Sequence, residues 1–204
     1  MNKKLHFIVV LIFVLNAIYG QIRREHLSVG FSFGFGNEFK NDDYTFTNQY
    51  YKLELNYLLR KEKFFQYEIV IQPEINFAEH QLIDPYFITP DDPDYIEKRE
   101  RFSKKYAINQ FILNLGIILR KPISKSINAF FLASTGPMIS DGETERLAKG
   151  FAFSNVVAFG VSYKVKRFEF DVRPNVRHVS NAGLSSPNIG FNTKNIELGV
   201  SLHF

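Results

Sequence analysis

Near the C-terminal end of the chain a histidine and a serine stand two residues apart, His178 and Ser180, within the segment RHVSNAGLSSPNIGFN at 177–192. A neutral imidazole can take a hydroxyl proton, and the oxygen so activated can attack an ester carbonyl. Spacing of i and i+2 puts both groups on one side of a β-strand, with their backbones about 6–7 Å apart. The pair is useful only if the segment is extended and its shared face meets a substrate. Taken alone, H-x-S carries little information. Ser, Asn, Gly and Pro in SNAGLSSPN also suit a turn into a loop, and a lone His178 also suits an interfacial residue reaching toward lipid headgroups.

The elements that must position the pair are written in period two. Leu27, Val29, Phe31, Phe33 and Phe35 alternate with small residues from Ser28 to Gly36. Similar alternation runs over 51–59, 65–77, 111–119, 157–165, 168–177 and 196–204, with a less regular stretch at 128–138, which makes eight strands. Connections alternate between long (36–50, 80–110, 139–156, 181–194) and brief (60–64, 120–127, 164–167). That rhythm and the even strand count predict an all-β fold: an eight-stranded antiparallel outer-membrane β-barrel with short periplasmic turns and long extracellular loops. Closure pairs every backbone group, as hydrocarbon requires.

A secreted barrel holding a ligand would turn its apolar faces inward instead. Charge placement opposes that reading. Glu169, Asp171, Arg173 and Arg177 share one face of the seventh strand and can pair across a narrow polar lumen, where Lys52 and Glu54 can join them. Pro73 and Pro174 fall on the lipid side and each removes one ladder donor, so bulges are expected there.

The rest of the sequence narrows the class. Met1–Lys4 is basic, Leu5–Ala17 is mainly apolar and Gly20 is a small residue at a cleavage point, so residues 1–20 read as a signal peptide and 21–204 as one barrel domain. There are 22 Phe and 10 Tyr but no Cys, which excludes disulfides and thiolate chemistry. Lys3 and Lys4 supply two of the +4 formal charge, leaving too small an excess to predict nucleic-acid binding. His26, His80 and His203 lie on different strands and suggest no metal site. The G-x-G at Gly34 and Gly36 lacks the helix a phosphate loop needs. Residues 84–105 read as a solvated extracellular loop whose Lys98, Arg99, Arg101, Lys104 and Lys105 are suited to lipopolysaccharide phosphates.

With a periplasmic N-terminus, the seventh strand runs outward and ends near Ser180. Its lipid-facing parity, Phe168, Phe170, Val172, Pro174 and Val176, continues to His178 and Ser180. Polar groups on the outer wall are costly unless they work there. At that depth a bacterial outer membrane presents the glucosamines and ester-linked acyl chains of lipid A.

His178, Ser180, Asn181, Ala182, Gly183, Leu184, Pro187, Asn188 and Gly190 resemble the C-terminal motif of the PagL-type lipid A 3-O-deacylases, an acyloxyacyl hydrolase family of eight-stranded outer-membrane barrels. The resemblance implies Ser180 as nucleophile and His178 as general base. It implies an oxyanion hole from the backbone N–H near Gly183 and the side-chain amide of Asn188. The family's third member is a Glu that orients the His, and Asn192 stands in its place here. Asn can hold an imidazole but cannot stabilise its charge. Glu197 is the nearest alternative acid, although strand parity points it into the lumen. The expected function is therefore an outer-membrane esterase acting on lipopolysaccharide among outer-membrane lipids, needing neither metal nor cofactor, and a homodimer is compatible with the pattern. The alternative is a non-catalytic small barrel with an envelope-structural or adhesion role.

Overall fold

The structure, a computed structural model, describes residues 23–39, 41–92 and 94–204; the expected signal segment lies outside them. Eight antiparallel strands close into a barrel in sequence order, with β1 (Leu27–Glu38) pairing both β2 (Tyr44–Lys61) and β8 (Phe191–His203). Between them run β3 (Gln66–Leu82), β4 (Tyr106–Pro122), β5 (Ile127–Ser140), β6 (Gly150–Val165) and β7 (Phe168–Ser180).

The strands reach further outward than the apolar pattern indicates. β2 begins at Tyr44, so the connection to β1 shrinks to 39–43. The period-two pattern persists there with its faces exchanged: Thr45, Thr47 and Gln49 point out while Phe46, Asn48 and Tyr50 point in. A search for an apolar exterior misses such a segment.

No register slip occurs at Pro73 or Pro174, contrary to the expected bulges. Pairing of β2 with β3 resumes at Leu55↔Ile71 after Lys52↔Glu74, and that of β6 with β7 at Val161↔Val172 after Ala158↔Asn175, both in the original register. Each proline interrupts one ladder only, because its other neighbour stays paired as Pro73↔Leu113 or Pro174↔Ile196. The shift between β2 and β3 lies instead at Leu58/Arg60, beside the periplasmic turn.

Side chains fill the lumen. At mid-height Arg177 pairs with Glu74 (2.6 Å), Arg173 with Glu54 (3.0 Å) and Asp171 (2.7 Å), and Lys52 with Glu197 (2.8 Å). Arg120 bridges Glu68 and Glu169 further down. Charges removed from water persist only when paired in this way. Contrary to the polar lumen expected from sequence, the interior toward the outer mouth holds an apolar cluster that includes Tyr44, Phe46, Ile108, Met138, Val179 and Phe191. The outer wall carries exposed apolar side chains such as Phe31, Leu53, Leu113, Phe159, Phe170 and Leu198.

Helix α1 (Tyr95–Phe102) lies within the 83–105 loop and anchors it by packing Phe102 with Leu82 and Ile88. The loop's basic residues already have partners. Lys98 meets Asp92 (2.6 Å), Lys104 meets Glu100 (3.1 Å), Lys105 meets Glu79 (2.6 Å), Arg99 donates to the Ile88 carbonyl and Arg101 pairs with Glu143. Lys98, together with the Asp94 N–H, holds the Asp92 carboxyl below its usual range.

Candidate active site

β7 and β8 pair so that His178 stands directly opposite Asn192 on the exposed outer wall. The two side chains meet: His178 Nδ1 lies 2.9 Å from Asn192 Oδ1. An amide oxygen only accepts, so the ring proton sits on Nδ1 and Nε2 presents its lone pair. Ser180 is half-buried at the next outward-facing position of β7. Among the described residues no hydrogen bond joins its hydroxyl to His178, a looseness common before substrate arrives.

The loop after Ser180 is organised by Asn181, which is fully buried. Its Nδ2 donates to the Ser185 carbonyl (2.8 Å) and hydroxyl (2.9 Å), and its carbonyl accepts from Leu184 N–H (3.1 Å). Ala182 and Gly183 have φ of 55° and 80°, so the four residues form a tight turn of left-handed sense. Asn181 Oδ1 accepts the Gly183 N–H at 3.0 Å. This corrects the expectation for Gly183: its amide is committed to the turn rather than presented to a substrate oxygen. Asn188 Oδ1 accepts Asn181 N–H at 2.7 Å, which fixes that side chain while leaving its NH2 group to donate.

Gly190 closes the loop against the pair. It has φ of 71°, and a Cβ there would lie 2.5 Å from the Val179 carbonyl and 3.4 Å from both His178 Cε1 and Ser180 Cβ. Only glycine combines that backbone with that closeness.

Sequence reasoning missed Arg146. Its carbonyl accepts from Ile189 N–H (2.8 Å) and Gly190 N–H (3.1 Å), and its Nε donates to the Gly190 carbonyl (3.2 Å). Ala148 N–H adds a bond to the Pro187 carbonyl at 3.0 Å. The 141–149 loop thus splints the 181–190 loop. No local signal marks such a residue, since its partners lie some forty positions away.

Glu197 is excluded as an alternative acid. It is buried in the lumen, where it accepts from Lys52 Nζ (2.8 Å) and Tyr50 Oη (3.0 Å), on the opposite side of the sheet from His178. Below His178 the outer wall bears an open groove of about 510 Å³, lined by Leu115, Ile117, Ala133, Val157 and Val176 together with Thr135 and Asn155. Among the described residues no group of three or more His, Asp or Glu side chains is placed to hold a metal ion.

The family model for lipid A 3-O-deacylase (PagL) matches residues 95–201, a span that holds His178, Ser180, Asn188 and Asn192. This chain belongs to the lipid A 3-O-deacylase family. No curated protein matches the sequence. The fold is shared with solved structures at low identity. A crystal structure of the outer membrane enzyme PagL is 15% identical with a TM-score of 0.57, covering 86% of this chain and 99% of that one. Neisserial surface protein A is 10% identical with a TM-score of 0.51, covering 88% and 97%. As a family member with a closed barrel and an apolar outer wall, this deacylase-family chain stands in the bacterial outer membrane.

Proposed function

We propose that the chain hydrolyses the ester joining an acyl chain to the 3-position of a lipid A glucosamine, with Ser180 as nucleophile and His178 as general base. His178 Nε2 takes the Ser180 proton while Oγ bonds to the ester carbon, giving a tetrahedral oxyanion. Collapse expels the sugar 3-oxygen, which receives the proton from Nε2 and leaves the acyl group on Ser180. Water, deprotonated by the same nitrogen, then attacks the acyl-enzyme and releases the fatty acid with Ser180 restored. The Asn188 NH2 group donates to the oxyanion, a type of contact that contributes about 3 kcal/mol. Asn192 orients the ring and keeps its proton on Nδ1.

The observation that carries this reading is the 2.9 Å contact between His178 Nδ1 and Asn192 Oδ1 on the lipid-facing wall, beside a serine. Its position selects a substrate that resides in the outer leaflet. Purified protein in detergent micelles, incubated with lipid A, should release free fatty acid, and Ser180→Ala should release none. Equal release by both would refute Ser180 as the nucleophile, and release by neither would leave a non-catalytic envelope barrel as the better account.

A further inference from the structure

The two ends of the barrel use their positive charges differently. At the outer end every basic residue of the 83–105 loop has a partner. At the inner end three turns join β2 to β3, β4 to β5 and β6 to β7, with the sequences RKEKF (60–64), KPISKS (121–126) and KVKR (164–167), in which Glu62 is the one acidic residue. Arg60 takes Glu62 at 3.0 Å, and Arg167 Nε donates to the His203 carbonyl at 3.1 Å. Lys61, Lys63, Lys121, Lys125 and Lys166 are exposed and, among the described residues, meet no carboxylate.

These turns sit where hydrocarbon gives way to headgroups. Phe64 follows Lys63, Ile123 lies between Lys121 and Lys125, and Val165 lies between Lys164 and Lys166, all three with exposed apolar side chains. Lys63 Nζ stands 5.2 Å from the centre of the Phe64 ring. Exposed Tyr163 and Phe168 flank the third turn on the outer wall, where a membrane barrel carries its aromatic girdle. A soluble polyanion would leave such apolar groups in water, whereas a lipid covers them and brings its phosphate to the neighbouring ammonium groups. The three turns are spread around the circumference, and exposed Arg23 and Arg24 stand ahead of β1, where β8 closes the ring.

We propose that this basic rim binds phospholipids of net negative charge in the inner leaflet, the phosphodiester of each meeting the free lysines of one turn. The surface lies at the opposite end of the barrel from Ser180 and His178 and does not depend on the ester chemistry. A phosphate is not enough to define the ligand. Choline and ethanolamine headgroups carry a cation of their own, which cancels the phosphate at a distance and competes for its oxygens. A glycerol headgroup carries none, so the ligand class is a phosphatidylglycerol-like lipid. Attraction between a lysine and an anionic leaflet acts over about one Debye length, roughly 8–10 Å at ordinary salt, and no paired carboxylate offsets it at the five free lysines.

Electron paramagnetic resonance of spin-labelled lipids provides the test, with the folded chain in phosphatidylcholine vesicles and a trace of labelled phosphatidylglycerol or labelled phosphatidylcholine. The fraction of label immobilised at the protein surface gives the relative association of the two lipids. Wild type at low salt should favour phosphatidylglycerol by about threefold, and 1 M NaCl, which shortens the Debye length to about 3 Å, should bring the ratio close to one. A variant with Lys61, Lys63, Lys121, Lys125 and Lys166 all changed to Gln should show a ratio near one at low salt. Heat-modifiable electrophoretic mobility shows whether that variant forms a barrel, and the wild-type ratio and its salt dependence decide even if it does not. Equal association of both lipids with wild type, a preference that 1 M NaCl leaves intact, or one that survives in the folded variant would overturn the proposal. Co-sedimentation of wild type with purified peptidoglycan, without any lipid preference, would assign the rim to a wall polymer instead.

Discussion

Replacing Asn192 by glutamate should accelerate the reaction. In the structure the Asn192 oxygen lies 2.9 Å from His178 Nδ1, so a carboxylate at this position sits about 5 Å from the centre of the imidazolium formed during catalysis. Coulomb attraction at that separation, with an effective dielectric constant of about 20, amounts to roughly 3 kcal/mol. The site is exposed on the barrel wall, and ions near the membrane surface screen part of that, leaving about 1–2 kcal/mol. Only the transition state carries the imidazolium charge, so the gain falls on kcat, at about 5- to 30-fold, with KM little altered. Asn192→Ala removes an acceptor whose bond strengthens as the ring becomes charged, and kcat should fall by a similar factor. Initial rates of fatty acid release from lipid A in mixed micelles measure both variants. A glutamate variant no faster than wild type, or an alanine variant as fast as wild type, would refute the orienting role.

Three further substitutions separate the chemistry from its supports. Gly190→Ala forces a Cβ against the Val179 carbonyl at positive φ, and should cost about 1–3 kcal/mol of loop stability and most of the activity while the barrel still forms on electrophoresis. Arg146→Ala removes the donor to the Gly190 carbonyl and should lower kcat by several-fold without changing the thermal midpoint of the barrel, measured by circular dichroism. Glu197→Gln leaves the buried Lys52 ammonium with Glu74 at 3.6 Å as its remaining carboxylate, so the thermal midpoint should drop while activity per folded molecule stays at the wild-type level. Loss of activity in a fully folded Glu197→Gln barrel would restore Glu197 to the chemistry.

Much of the barrel was legible because a lipid-facing wall imposes strict alternation. Val172, Pro174 and Val176 carried the parity directly to His178 and Ser180, and the charges of β7 read correctly as lumen-facing. The outer halves of the strands were hidden because there the aromatic residues turn inward, as Phe46 and Tyr50 do, and Thr45 and Thr47 face out. In the site, strand parity and the motif brought His178, Asn192 and Asn188 forward. Neither reveals which N–H groups a turn has already consumed, and Gly183 is one that Asn181 occupies. Arg146 acts through contacts between loops, which no spacing encodes.

The most direct test of the account is the mass of lipid A extracted from outer membranes of cells that express the wild-type chain, His178→Asn or Ser180→Ala at equal levels. Lipid A from wild-type cells should be lighter by one ester-linked acyl chain, and both variants should leave it intact. Identical spectra from all three would contradict a lipid-facing serine and histidine that cleave the ester.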